Sequence, residues 1–509
     1  MAEVNSSDAA AGISDPIEHV VFLLMENHSF DQMLGGLQGT APHLNNLEGI
    51  DPTHKVINSN RDNAGNVYQQ KQTGVTQMIH DPKHEFDNVQ EQLEDNNAGF
   101  VKAFIKEYPD SSQAEREAIM GYYPPGFLPA LHALANDFTV CDHWFSSLPG
   151  PTWPNRFFAL SGTCSGHVEM PNGVLHPDLN NAILDQNQDT IFDRLDEVKK
   201  SWKIYYYDIP CSLILTHQRR NKNLANYFKM DDFFNDAAGM EDALPAFTFI
   251  EPKYFGVDQN DDHPPHNVMK AEKLIADVYN AIRSNPTLWP TTLLVVLFDE
   301  HGGFYDHVVP PSGPPLAVPP DTKVSEKFAF DRLGVRVPAI LASPYVERRV
   351  ESTVFDHTSL LKYLVDKWNL GPLGNRVANA NSIQYALRPN HVARPDTDMI
   401  QFIRVSNSSL IPNDPELERE DLSAHHEALS IFAAKLQEEI GEEFVTELVD
   451  RARKLNPLQR SLIKPKLYLG KILINFGKWL RAGLVDDNVT LGKAIATAVD
   501  RYKSMKLPK

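Results

Sequence analysis

An α/β fold built on a mainly parallel central sheet is what this sequence predicts, on two observations: apolar runs of strand length, and helical patterns between them. The runs are HVVFLLM (19–25), KIYYYD (203–208), AFTFI (246–250), TTLLVVLF (291–298) and VPAILA (337–342). Apolar residues at almost every position suit strands covered on both faces, as in a parallel sheet. Helical candidates fall at 87–106, 154–162, 190–200, 267–284 and 356–368, and the alternation predicts α/β layers. At 509 residues the chain has room for one large domain and a smaller addition.

Composition narrows the class. A net charge of −19 disfavours nucleic acid as a partner, because phosphate backbones repel such a surface. Cys141, Cys164 and Cys211 are odd in number and widely spaced, so they build neither a disulfide framework nor a CxxC metal site. The N-terminus MAEVNSSDAAAGISDP is acidic and lacks the basic-then-apolar order of a signal peptide. No apolar run approaches the roughly 20 residues that span a bilayer. These features predict a cytoplasmic protein without a transmembrane segment.

The first strand, 19–25, stops at Glu26 and Asn27, and SFDQ then reads as a helix start with Ser29 and Gln32 placed for a capping box. In α/β folds ligands gather at the carboxyl ends of strands, where Glu26 and Asn27 fall. Residues 40–80 are polar and loop-like.

The next informative stretch is SSLPGPTWPNRFFALSG. Pro154 suits the first turn of a helix through NRFFALSG, which puts Thr152 just before its N-terminus. Helix N-termini favour phosphate-like anions, and Asn155 and Arg156 are placed as anion contacts. A Thr hydroxyl needs activation to act as a nucleophile, and coordination to a divalent cation would supply it. The plainer reading is a proline-rich turn with a buried arginine.

A second corner closes the strand 291–298, which runs into Asp299, Glu300, His301 and a Gly-Gly turn. Adjacent carboxylates at the end of an apolar strand are costly unless something positive meets them. With Glu26 and Asn27 they make an all-oxygen set suited to a hard divalent cation. HDPKHEF offers His80 and His84, and NDDHPPH offers His263 and His266; imidazoles serve phosphoryl contact or proton transfer. The Pro-rich stretch 306–325 either wraps the site or is a surface excursion. DQNQDTIFDRLD (185–196) imitates a calcium loop but lacks the glycine and terminal glutamate that one needs.

Near residue 410 the composition changes, dividing a catalytic domain (1–410) from a C-terminal helical region (411–509). Residues 415–450 are acidic and amphipathic, whereas 451–481 hold nine Lys/Arg and no Asp/Glu. Leu469, Leu473, Phe476, Leu480 and Leu484 share one helical face. That pattern fits either peripheral membrane contact through 451–484 or packing on the rest of the protein.

ENHSFDQMLG, TWPNR, DEHGGFYDHV and GVRVPAILASPY, in this order between about residues 17 and 365, resemble the signature blocks of the phosphoesterase family. That family holds phosphatidylcholine-type, non-specific phospholipases C and related acid phosphatases, within the alkaline-phosphatase-like superfamily. The resemblance implies a layered α/β/α fold and one divalent metal ion (Ca, Mg, Mn or Zn) on Glu26, Asn27, Asp299 and Glu300. Thr152 would be the fifth ligand and the nucleophile. His84, Asn155 and His263 would contact the phosphoryl group, with His301 adjacent. The implied activity is metal-dependent phosphoric ester hydrolysis through a phosphothreonine intermediate. The substrate would be a phospholipid cleaved to diacylglycerol and a phosphorylated head group, or, alternatively, a phosphomonoester as in an acid phosphatase. A catalytically silent membrane- or partner-binding protein is the reading from another class, and intact ligand residues in all the blocks speak against it. His28 stands where the family usually has arginine.

Overall fold

The computed structural model describes residues 15–406 except 52, 54, 56, 171–185, 240–243, 256–258, 313–324, 326, 390–391 and 398–399, together with residues 425, 428, 429 and 432. Much of the Pro-rich stretch, and the C-terminal region apart from those four residues, lie outside the described residues.

The main sheet has eight strands: β1 (His19–Met25), β2 (Thr139–Cys141), β3 (Trp202–Tyr206), β4 (Tyr227–Lys229), β5 (Phe247–Glu251), β6 (Thr292–Phe298), β7 (Ala339–Ala342) and β8 (Arg349–Glu351). Their order is β8-β2-β7-β6-β1-β5-β3-β4. Neighbours are parallel except around β7, which runs antiparallel to both β6 and β2. The predicted α/β class with a mainly parallel sheet therefore holds. All five apolar runs form strands, and the VPAILA run is the one that reverses direction. β1 and β6 are buried along their whole length, which is why neither shows the alternation of a one-sided sheet. The strands with no sequence signal, β2, β4 and β8, are three residues each.

Helices form at Thr152–Ser161, Ile191–Glu197, Val268–Ser284 and Thr358–Trp368, close to expectation. The predicted helix 87–106 is interrupted. Asp95, Asn96 and Asn97 take φ values of 49°, 60° and 66°, separating Phe86–Gln92 from Phe100–Glu107. Asp and Asn tolerate this left-handed region better than most residues. The break is used: Asn97 Nδ2 donates to Asp306 O at 2.9 Å and Val308 O at 3.0 Å. The calcium-loop mimic is instead a helix start, with Thr190 and Asp193 forming a reciprocal capping box. Among the described residues no helix is long and apolar enough to cross a membrane.

Candidate active site

Strand register builds the first half of the site. Met25 pairs with Phe298 in the parallel β1–β6 ladder, and Asp299 N–H donates to Met25 O at 3.0 Å. Glu26 and Asp299 therefore leave the sheet side by side. Asn27 then turns the chain with φ +62°, and its N–H donates to Asp299 Oδ1 at 3.3 Å. Glu300 N–H donates to the same oxygen at 2.8 Å, while Glu300 Oε2 accepts from Gly302 N–H at 2.7 Å.

The Gly-Gly turn lets these segments close up. A Cβ on Gly302 (φ +61°) would sit 2.0 Å from Asn27 O, and one on Gly303 (φ +74°) would sit 2.9 Å from Pro82 O. Gly302 thus presses the second corner onto the first, and Gly303 presses it onto the loop that carries His84. Gly302→Ala is expected to lower stability by about 1–3 kcal/mol and to reduce activity. Gly126→Ala is the control, because Gly126 shares a positive φ (+79°) with open space around it. Thermal denaturation of both variants isolates the cost of the close approach.

Behind the first corner, Ser29 Oγ accepts from Gln32 N at 3.3 Å, so half of the capping box exists. The other half is diverted: Gln32 Oε1 meets His28 Nδ1 at 2.6 Å. His28 also reaches Asp262 O at 3.0 Å and stacks on Phe304. Burial drives its imidazole down to about 4. Arg336 ties the two corners together, donating from Nε to Asp306 Oδ1 at 2.9 Å and from Nη2 to Asp31 Oδ1 at 3.0 Å. This gives the GVRVPAIL block its place beside the other three.

The helix Thr152–Ser161 supplies the second half of the site. Thr152 is its first residue, one position later in the helix than the sequence implied. Arg156, one turn on and on the same face, donates from Nε to Asp299 Oδ2 at 2.8 Å, and its Nη2 lies 2.9 Å from Glu26 Oε1. Its Nη1 reaches Tyr254 Oη at 3.0 Å. Arg156 thus braces two carboxylates rather than facing a guest anion. Asn155 turns back onto its own loop: Nδ2 donates to Gly150 O and Pro151 O, and Oδ1 accepts from Leu148 N–H.

The histidines divide into three groups. His84 donates from Nδ1 to Pro82 O at 2.8 Å, so Nε2 faces the Asn27 side chain at 3.0 Å and Glu300 Oε1 at 3.6 Å. Burial opposes its charge, but Glu300, Asp81 and Glu85 outweigh that and raise it to about 9. His263 bonds Pro264 O through Nδ1 at 2.6 Å, and its ring centre lies 5.6 Å from that of His84. His301 is directed elsewhere, with Nε2 on Gln92 Oε1 at 2.8 Å and its ring edge-on to Phe100; burial lowers it to about 3. His80 pairs with Glu115 and His266 with Asp261. Sequence reasoning did not anticipate His357, whose Nε2 meets Asp299 O at 2.6 Å, or His425.

Several buried oxygens here have no hydrogen-bond partner: Glu26 Oε2, Asn27 Oδ1, Thr152 Oγ and Glu300 Oε1. Buried acceptors without a hydrogen bond are costly, and the three at the paired strand ends, on Glu26, Asn27 and Glu300, fit a cation. Burial raises Glu26 well above the ordinary carboxylate range; Arg156 opposes the shift, and Asp299, Asp261 and Glu300 add to it. Asp299 and Glu300 are raised as well, burial again being the main cause. A tighter donor group lies alongside, with ligand atoms of Asp81, His84 and His263 within 4.8 Å of one another. Glu26, Asp299 and Glu300 are not drawn that close, since Arg156 spans the first two.

A helix N-terminus and imidazoles offer positive potential to an anion, while the carboxylates ask for a cation beside it. That combination suits hydrolysis of phosphoric esters, the class of enzyme to which fold and site point. The chain belongs to the phosphoesterase family, whose sequence model matches residues 17–371. It is 35% identical over 410 residues to non-specific phospholipase C6 of Arabidopsis thaliana, covering 75% of this chain and 74% of that protein. It is 33% identical over 401 residues to non-specific phospholipase C3 of the same plant, covering 73% of each. With phospholipase C B of Mycobacterium tuberculosis (strain CDC 1551 / Oshkosh) the identity is 29% over 412 residues, 71% of this chain and 75% of that protein. Among solved structures, an alkaline phosphatase superfamily protein from Vibrio parahaemolyticus is similar at 11% identity over 50% of this chain and 63% of that chain, with a TM-score of 0.28.

Proposed function

We propose that this protein is a divalent-cation-dependent phospholipase C with Thr152 as its nucleophile. The observation that carries the reading is the buried, unpartnered Thr152 Oγ on the same helical face as Arg156, which reaches both strand-end carboxylates. The names of the relatives support phospholipid as the substrate.

Glu26, Asn27, Asp299, Glu300 and Thr152 would hold the cation, whose charge supplies Lewis-acid activation of the nucleophile and neutralises phosphoryl oxygens. The helix N-terminus, where the helix dipole favours negative charge, orients the phosphoryl group over Thr152. Thr152 Oγ attacks phosphorus in line, the P–O bond to the lipid alcohol breaks, and diacylglycerol leaves. His84 and His263, each anchored through Nδ1 to a backbone carbonyl, present Nε2 to the reacting group. One imidazole there takes the proton that Thr152 Oγ gives up as the Oγ–P bond forms and a proton passes to the departing alkoxide, while the other stabilises the equatorial oxygens. Water then cleaves the phosphothreonine, returning Thr152 and releasing the phosphorylated head group. Exclusion of bulk water strengthens each of these charge contacts.

Product analysis on mixed phospholipid vesicles with defined divalent ions tests the proposal. Diacylglycerol and a phosphorylated head group are the expected products, and a chelator is expected to stop their release. Hydrolysis of a soluble aryl phosphate with no diacylglycerol would make the protein a phosphomonoesterase instead.

A further inference from the structure

His425, Ala428, Leu429 and Phe432 are helical, and their i, i+3, i+4, i+7 spacing puts them on one face. All four are buried, and the three apolar ones join the main core. Phe432 sets its ring edge-on to Trp153 at 6.3 Å, and the Arg219 guanidinium lies 5.3 Å from the Phe432 ring centre. Trp153 follows Thr152 directly, so this face seats on the first turn of the helix that carries the hydroxyl.

Two turns before Phe432, His425 is 1% exposed and lies within the site. Its Nε2 is 3.5 Å from Glu26 Oε1, and its ring centre is 6.1 Å from that of His263 and 5.1 Å from that of Tyr254. The rings of His84, His263 and His425 therefore form a chain of neighbours, the last supplied by the C-terminal region. Core packing does not require an imidazole here. Ala428, Leu429 and Phe432 already supply the apolar contact, and an alanine or leucine at 425 would avoid burying ring nitrogens beside a carboxylate.

We propose that His425 is a substrate-contacting residue of this site, giving its imidazole to a non-bridging oxygen of the bound phosphoryl group, and that the face ending in Phe432 seats it there. The inference deepens the function proposed above and rests on it. It makes the face of His425, Ala428, Leu429 and Phe432 a working wall of the phosphoryl pocket.

The test uses full-length His425→Ala, His425→Gln and Phe432→Ala with a divalent cation present. Two readouts are needed: kcat and KM on a soluble phosphodiester, and inorganic phosphate binding by calorimetry. His425→Ala is expected to lower kcat about 10²-fold. It should weaken phosphate binding about tenfold, the loss of one charge-assisted hydrogen bond. The rise in melting temperature on adding the divalent cation should persist. His425→Gln, which keeps an N–H donor and carries the test if the alanine variant does not fold, should recover part of the phosphate affinity. Phe432→Ala should shift both readouts the same way by less. Unchanged kcat and unchanged phosphate binding in His425→Ala would overturn the proposal. So would raised activity, which would make the segment a plug, or a loss confined to cation binding. If the wild-type protein hydrolyses no phosphate ester, the proposed function fails, while phosphate calorimetry still decides the place of His425.

Discussion

Thr152→Ala is expected to reduce phosphate-ester hydrolysis by about four orders of magnitude or more, the scale seen when a nucleophile is removed from a preorganised site. The fold should survive almost unchanged. Thr152 Oγ is buried without a hydrogen-bond partner, so deleting it strands no other group and relieves the cost of burying a lone hydroxyl. Steady-state kinetics beside thermal denaturation would check both halves of the expectation. Near-normal turnover in this variant would remove Thr152 from its role. Thr152→Ser, which keeps the hydroxyl, is expected to retain far more activity than the alanine variant.

Arg156→Met should have the largest effect on stability, about 3–5 kcal/mol, because removing one partner of a buried ion pair leaves charge uncompensated. Arg156 is 2% exposed and meets Glu26 and Asp299, both fully buried. Methionine is close in length and can refill the space, so the loss reports charge more than a cavity. If the carboxylates also hold a divalent cation, adding that ion should raise the melting temperature of Arg156→Met more than that of the wild type. The variant has lost its internal counter-charge, and ligand binding stabilises the folded state by mass action. Denaturation with and without chelator checks this. An equal response in the two proteins would separate Arg156 from the proposed cation site.

Much of this arrangement can be read from local sequence because local physics produces it. A run such as TTLLVVLF is apolar at nearly every position and admits few fates besides a strand buried on both faces, and it becomes β6. The oxygen-bearing residues at its end and at the end of β1 are legible for the same reason: polar groups stop a buried strand. Where local signals were weak or in competition, the outcome differed. The helical pattern of 87–106 gives way at Asp95–Asn97, whose left-handed backbone lets the Asn97 side chain reach Asp306 O and Val308 O. The anion contacts assigned to Asn155 and Arg156 followed from their place near a helix start. In the folded chain, a loop carbonyl set occupies one and two carboxylates occupy the other.

The sequence by itself determined the α/β layers, the two acidic strand ends, the hydroxyl at a helix N-terminus and the family to which the chain belongs. Each of these is written in adjacent residues whose burial, capping or backbone preference acts over a few positions. Only the tertiary structure decided that Glu26 stands beside Asp299, because ladder register joins strands far apart in the chain. Only it decided that Arg156 braces that pair, that Gly302 lets the corners touch, and that His425 comes to lie against Glu26. Those contacts depend on which surfaces meet once the core closes, and no spacing along the chain encodes them.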